Sequence, residues 1–424
     1  MEPIHRFADV VITGVGVVSP LGLTPAEISR KVRQGESGIA PLQAFDLEGE
    51  FAGEAPAFDL SARLKNPKSI KLMSRGSRLA LYAACDAVAT SGLDLAAADR
   101  ERIAVEVGSG HTGIDYDSFF PALQVAWRDD PECDFAHLGG RASKLIDAYF
   151  SLRSLSNAGV GLLAAEFDLR GPSNNYVQND TASAWALQAG AADIEDGIAD
   201  FALVGGYDSL TLKSAYLSFF EAGLLARGKP MTPFGAGRSG ATLGEGAAFF
   251  FLESGERARH RQARPFARLE GFLSAADAAG EGWVADGLPA LETGLRRAFD
   301  SGLRPDYVIA RGISMPEEDN TEAELLRRLG IEAGQVSAWK GWTGYLGAAA
   351  AAVELALTVH AVRAGCLPAP LGGGRPDPRL PLEGLPDGAI AVAGRDPLIL
   401  LLSGCWAGQA SALWFRVESG GGLE

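Results

Sequence analysis

The sequence predicts an α/β chain, and three observations carry that prediction. Short apolar runs recur between glycine-rich turns, at 9–13 (DVVIT), 103–107 (IAVEV), 201–204 (FALV) and 247–252 (AAFFFL), each with the length and composition of a buried strand. An alanine-rich stretch from Asp180 onward reads as a helix whose side chains are too small to hold neighbours off, so it belongs under other elements, and 76–92 reads as an alanine-rich amphipathic helix. Finally, DFALVGG from Asp200 is echoed by DYVIARG from Asp306, a faint sign that two halves repeat one topology. At 424 residues the chain can bury a large core, as one domain or as two packed halves.

Composition narrows the function. A formal charge of −15 and a pI near 4.9 argue against nucleic acid or an anionic membrane as the main target. Cys85, Cys133, Cys366 and Cys405 form no pairing framework and no Cys-x-x-Cys, which fits a reducing cytoplasm. No basic-then-apolar leader opens the chain and no apolar run is long enough to span a bilayer, so the expectation is a cytoplasmic protein with no membrane partner.

Taken in order, the strand at 9–13 runs into Gly14, Gly16 and the turn Ser19-Pro20-Leu21-Gly22, and Thr24 is placed to cap a helix over 24–34. The stretch 63–75, RLKNPKSIKLMSR, carries Arg63, Lys65, Lys68, Lys71 and Arg75 in an acidic chain; it reads equally as a solvated face and as a docking patch for an anionic partner. Cys85 falls inside the next helix as a core filler. The turn Gly108-Ser-Gly-His-Thr-Gly113 satisfies the dinucleotide-binding pattern, but Asp129, Asp130 and Glu132 lie in a polar loop beside Pro131 rather than closing a second strand. Gly171-Pro172 then breaks the chain, an extended run covers 173–179, and a helix begins at Asp180. The strand at 201–204 ends at Gly205-Gly206, a polar basic segment at 254–264 separates the halves, and 371–386 is a surface loop.

These strings together resemble the β-ketoacyl synthase family. VVITGVGVVSPLG from Val10, the Gly-Pro-Ser of Gly171 to Ser173, the apolar strand ending in Gly205-Gly206 and the Pro-Phe turn leading to Gly-Glu-Gly before 247–252 all match family stretches, and the likeness runs from Asp9 to Phe415. It implies a thiolase fold, five layers αβαβα built from two similar halves, here 1–254 and 265–424, with dimerisation through the strand at about 173–179. It also implies that Ile114, Tyr116, Phe119 and Phe120 line an acyl tunnel or subunit interface, with ordinary core as the alternative reading, and that the basic stretch docks an acyl carrier protein.

Working family members use a Cys nucleophile and two His groups, which must form a thiolate and donate hydrogen bonds near neutral pH. An ungapped count from Ser173 forward and from Gly205-Gly206 back puts Asp180 at the Cys position. Arg311, in the string Tyr307-Val-Ile-Ala-Arg-Gly, takes the place of the first His, and its guanidinium cannot shuttle a proton at neutral pH. Tyr345, after Thr343-Gly344, takes the place of the second, while Lys340, Asp319 and Glu322 keep family positions. The glycine-rich gating loop appears as Cys405-Trp406-Ala407-Gly408, with bulk where the family has flexibility. Asp180 has an ordinary role open to it as a helix N-cap. If the fold joins Asp180 to Arg311, the retired site becomes a buried ion pair.

No catalytic set is therefore intact, no metal-ligand spacing is present and no cofactor is implied. The resemblance points to the non-condensing chain-length factor, or ketosynthase β subunit, of type II polyketide, aryl-polyene or fatty-acid-like systems. Such a subunit pairs with an active ketosynthase, meets an acyl carrier protein and shapes the acyl tunnel. Those subunits usually carry Gln at the Cys position, so Asp180 departs from both classes. Two alternatives stand beside this reading: a malonyl-carrier decarboxylase or acyltransferase using Asp180, Tyr345 and Lys340, and a non-catalytic homodimeric carrier-binding scaffold.

Overall fold

Ten strands form one sheet in the computed structural model, which describes residues 4–110, 116–127, 135–140, 142–276, 288–370, 372, 375–404 and 408–418, without the side chains of 116, 117, 135 and 137. In chain order they are β1 (His5–Val18), β2 (Ile103–Ser109), β3 (Ser173–Tyr176), β4 (Phe201–Ser209), β5 (Glu245–Ser254), β6 (Ala267–Ala276), β7 (Tyr307–Ile309), β8 (Val336–Ser337), β9 (Leu398–Gly404) and β10 (Gln409–Val417). Across the sheet they run β8, β7, β9, β10, β6, β1, β5, β4, β2, β3. From the β1/β6 seam outward, each side has the same order of first, fifth, fourth, second and third strand. In each the fifth, β5 or β10, is antiparallel to both neighbours, and the outer three pair in parallel.

This repeat is not the one the strings hinted at. The Asp200 string lies on β4, the fourth strand of its side, whereas the Asp306 string lies on β7, the second strand of the other. Buried strands of any rank draw on the same small apolar alphabet, so likeness between two short runs does not report equivalence.

Four helices frame the site and its surroundings: α1 (Arg75–Ser91), α2 (Ala182–Glu195), α3 (Pro316–Arg328) and α4 (Ala350–Arg363). The sheet curls round α2 and α4, which touch each other and strands on both sides of the seam. α4 is buried from Ala350 to Val362, and this is what its alanines permit. Alternation along the strands sorts their side chains into layers: Phe250 and Leu252 of β5 face the central helices with Ile12, Val204, Ile309 and Leu401. Phe249 and Phe251 point the other way, into a cluster with Leu79, Ala83 and Ala87 of α1. On the far side Val308, Leu400 and Trp414 pack against Leu291 and Leu295 of the helix Pro289–Asp300. The order helix, sheet, helix, sheet, helix is the five-layer arrangement expected, and sheet faces covered on both sides explain why AAFFFL is apolar throughout.

Local expectations hold at the first helix and fail at two other places. Thr24 caps Pro25–Gln34, accepting from the Glu27 N–H at 3.3 Å while the Glu27 carboxylate accepts from the Thr24 N–H at 3.1 Å. Cys85 lies in α1, and burial pushes its thiol up to about 11, as befits a core filler. Gly205 and Gly206, read as a strand stop, instead lie inside β4: a Cβ on Gly205 would stand 2.1 Å from the Ala248 carbonyl oxygen, and one on Gly206 2.5 Å from Ser183 Cβ on α2. They are close-approach glycines. Asp180 does not cap α2 either, since it sits in a tight turn, Asn179–Thr181, ahead of the helix.

Candidate functional site

Asp180, Arg311, Lys340 and Tyr345 meet at the C-terminal ends of parallel strands, where loops from such sheets gather functional groups. Asp180 follows β3, Arg311 follows β7, and Lys340 and Tyr345 belong to the short helix Lys340–Thr343 and the turn after it, beyond β8. All four are at most 3% exposed.

Asp180 is 1% exposed, and its Oδ1 accepts a hydrogen bond from the Tyr345 hydroxyl, while Oδ2 has no donor. Burial pushes the Asp180 carboxyl up to about 6, against the pull of the Lys340 ammonium, the Tyr345 hydroxyl and the Arg311 guanidinium. Tyr345 is locked on both sides by backbone: its N–H donates to the Thr242 carbonyl at 2.7 Å and its carbonyl accepts from the Gly244 N–H at 2.9 Å. Its ring packs 5.6 Å from that of Phe219, in a cluster with Leu210, Leu225, Leu243 and Ile313.

The expected ion pair between Asp180 and Arg311 is not formed. The Arg311 guanidinium donates instead to the Glu318 carboxylate, in the first turn of α3, with both side chains about 5% exposed or less. Burial alone would lower the Arg311 pKa, but the carboxylates of Glu318 and Glu322 outweigh it and hold it above its usual value. Glu322 also accepts from the backbone N–H groups of Arg311 and Gly312, at 2.7 and 2.9 Å. Asp319, between them on α3, accepts from the N–H groups of Phe234, Ile313 and Ser314 at 2.7, 3.0 and 3.1 Å. Those bonds hold Ser314 at φ 66°, a backbone region that a non-glycine residue enters at some cost. The acids kept from the family pattern thus act as clamps on the β7–α3 loop.

Lys340 is paired as well, its ammonium donating to Glu354 of α4 at 2.7 Å. Burial pushes the Glu354 carboxyl up to about 7, with Lys340 working against it. Asp208, at the end of β4, is a further buried acid, accepting from the Ser209 and Ala348 N–H groups at 2.9 and 3.0 Å. Burial raises it to about 7 as well.

Sequence reasoning missed Glu318, Glu354 and Asp208. A signal existed for Glu354, a single acid in the otherwise apolar run AAAVELALTV, because a charge in a fully buried helix needs a counter-charge. Glu318 follows Arg311 by seven residues, across a turn that periodicity does not resolve.

The remaining candidates separate. Ile114 and the gating residues Cys405 and Trp406 lie outside the described residues, as does the side chain of Tyr116. Phe119 is half-buried and stacks on Phe150 with centroids 5.3 Å apart, and Phe120 is exposed. In the basic stretch, Arg75 forks onto the buried Glu245, at 2.6 Å for the shorter bond, and Arg63 bridges Asp86 at 2.5 Å over the Tyr82 ring. The Lys71 ammonium lies 5.1 Å from the Tyr149 ring centre, and Lys65 and Lys68 are exposed. No helix among the described residues is long and apolar enough to cross a membrane.

Comparison with known proteins agrees with this geometry. The chain is 29% identical over 400 residues, 90% of itself and 92% of the relative, to 3-oxoacyl-acyl-carrier-protein synthase 2 of Coxiella burnetii (strain RSA 493 / Nine Mile phase I). It is 28% identical over 386 residues, 89% of itself and 91% of the relative, to the tetracenomycin polyketide synthase ketoacyl synthase beta subunit of Streptomyces glaucescens. Among solved structures, the ishigamide ketosynthase/chain length factor superposes with a TM-score of 0.83 at 27% identity, covering 97% of this chain and 99% of that one. That neighbour and the layered sheet make this a thiolase fold. The model of the β-ketoacyl synthase N-terminal domain matches residues 8–258 and that of the C-terminal domain residues 267–373, so the chain belongs to the β-ketoacyl synthase family.

Proposed function

We propose that this chain is a non-condensing ketosynthase subunit, a chain-length factor, that pairs with an active ketosynthase, receives substrates from an acyl carrier protein and shapes the acyl tunnel in a type II polyketide or related pathway. One observation carries the reading: the residue at the nucleophile position is a carboxylate, 1% exposed, with a phenol bonded across it. A nucleophile must meet its substrate, and attack on a thioester needs an activated anion with a base or donors free to serve the oxyanion. Here Arg311 and Lys340 are held by Glu318 and Glu354, so neither cation is aimed at an acyl group. The same pairings count against decarboxylation through Asp180, Tyr345 and Lys340. The likeness to both a ketosynthase beta subunit and a ketosynthase/chain length factor supports the choice within the family, alongside that to condensing synthases.

The test is turnover of malonyl-carrier protein by the isolated chain, by an active ketosynthase of the family, and by the two mixed. The expected result is none from the chain alone and condensation from the mixture, with product length following this chain when it is exchanged for a related one. Decarboxylation or condensation by the chain alone would overturn the reading.

A further inference from the structure

A groove lies apart from the residues described above. Its volume is about 470 Å³, within the range of small-molecule sites, and none of Asp180, Arg311, Lys340 and Tyr345 lines it. The charged residues that do line it are Lys229 and Arg375, both cations, in a chain of formal charge −15. Among the described residues no carboxylate lines the groove and neither cation forms an ion pair; the Lys229 ammonium donates to the Gly237 carbonyl at 2.7 Å. Elsewhere the guanidinium or ammonium groups of Arg238, Arg311 and Lys340 each meet an acid.

The two segments that carry these cations are joined through their backbones. The Ala236 N–H donates to the Arg375 carbonyl at 3.3 Å, the Asp377 N–H donates to the Phe234 carbonyl at 2.9 Å, and Gly235 pairs with Pro376. The buried Arg238 guanidinium fixes the junction by donating to the Asp377 carboxylate at 2.7 Å. On the other flank the Met231 N–H donates to Thr242 Oγ1 at 2.8 Å and the Thr232 N–H to Ser314 Oγ at 2.9 Å. The framework under Lys229 and Arg375 is thus in place before any ligand arrives, which leaves little backbone to order on binding.

Glycines keep the groove open. A Cβ on Gly372, which has φ 66°, would stand 2.0 Å from the Gly341 carbonyl oxygen, so the two meet backbone to backbone with no side chain between them. The Ser37 hydroxyl donates to the same oxygen at 3.2 Å and is thereby occupied. Ile39, Pro230, Met231 and Ala236 add apolar surface, and the volume is far more than one inorganic ion fills. The groove therefore offers positive charge at one place and an uncharged wall beside it.

We propose that this groove binds a small phosphate monoester with an apolar body, its phosphate met by Lys229 and Arg375 and its body lying along Ile39, Pro230 and Met231. Two cations suit a dianion better than a single carboxylate, and a guanidinium fork with an ammonium point charge is a pairing that phosphate recognition uses. Nothing in it depends on the chain being a chain-length factor.

The experiment titrates the full chain by calorimetry with phenyl phosphate, inorganic phosphate, benzoate and phenol. Phenyl phosphate is expected to saturate and to bind roughly ten-fold tighter than inorganic phosphate, with phenol showing no saturation. Its binding should weaken as salt is raised and should slow hydrogen exchange at amides 229–237. Lys229→Gln and Arg375→Gln are each expected to weaken it about ten-fold, whereas Lys144→Gln, at an exposed position elsewhere, leaves it unchanged. Absence of saturable binding, equal binding by the two groove variants, or an equal loss in Lys144→Gln overturns the proposal. Benzoate is expected to bind several-fold more weakly than phenyl phosphate, and equal affinity overturns the phosphate assignment. Both groove cations are exposed, so the variants are expected to fold as the unaltered chain does, which a thermal melt checks first.

Discussion

Acids flank α2 in two places, and they are treated in opposite ways. At its start, Asp180, Glu318 and Glu354 each have a partner within the chain, in the Tyr345 hydroxyl, the Arg311 guanidinium and the Lys340 ammonium. Below it, on β2, Glu106 is equally buried, and the groups that favour its charged form are the neutral Tyr176 and Asn174 side chains rather than a cation. The groups around Asp180 are closed on one another. The buried acid beside the sheet edge is met by neutral groups, and burial pushes it up to about 7. A buried acid beside a cation or a phenol is held within the chain, whereas one met by neutral side chains alone stays closer to its protonated form.

Variants at four sites break or sharpen that contrast, taken from the site with the largest expected effect to that with the smallest. Glu318→Ala strands Arg311 at 3% exposure and is expected to cost about 3–5 kcal/mol by urea unfolding. The double change Glu318→Leu with Arg311→Met should recover most of it, since removing both charges leaves neither stranded. A single-variant loss below about 1 kcal/mol would mean that the pair is not what holds this loop.

Asp180→Asn acts with opposite sign. The folded carboxyl sits at about 6 against an ordinary 3.8, so the native state holds its proton more tightly than the unfolded chain does. Below about pH 4 both states are protonated and the group is neutral in effect; between about pH 4 and 6 stability falls as pH rises, and above that the loss is complete. The Asn variant should therefore flatten this slope and gain about 2–3 kcal/mol above about pH 6, read from unfolding curves across pH. An unchanged pH slope would show that Asp180 stays ionised throughout.

Tyr345→Phe removes the hydroxyl bonded to Asp180 and is expected to cost about 1–3 kcal/mol near neutral pH. It should also raise the Asp180 carboxyl further, because the lost bond favoured the charged form; the carboxyl resonance in an NMR titration checks this. The smallest effect belongs to Lys65→Glu with Lys68→Glu, two exposed positions whose reversal should leave stability within about 0.5 kcal/mol. The same pair should weaken carrier-protein binding in a salt-dependent way if the patch docks an anionic carrier. Arg75→Ala should instead destabilise the fold, because it leaves the buried Glu245 without its guanidinium.

The convergence of the candidate residues was legible because counting along the chain survives changes of residue. Asp180, Arg311, Lys340 and Tyr345 do converge, as their strings implied. Their pairings were not legible. The expectation joined Asp180 to Arg311 by charge, and a competing carboxylate in the first turn of α3 took the guanidinium instead, through a loop held by Asp319 and Glu322. Among several buried acids and few cations, distances of a few ångströms decide the partner, and no spacing rule carries those.

By itself the sequence determined the α/β class, the buried character of α2 through its alanines and the Thr24 cap. Each of these is written in local composition or in residue identity, which act within a few residues or by simple presence. Tertiary structure alone decided that the two sides of the sheet share a strand order, that Gly205 and Gly206 serve close packing rather than a stop, and that Glu106 is buried beside Asn174 and Tyr176 of β3. Those facts depend on which strands lie side by side, and that is settled by packing between residues far apart in the chain.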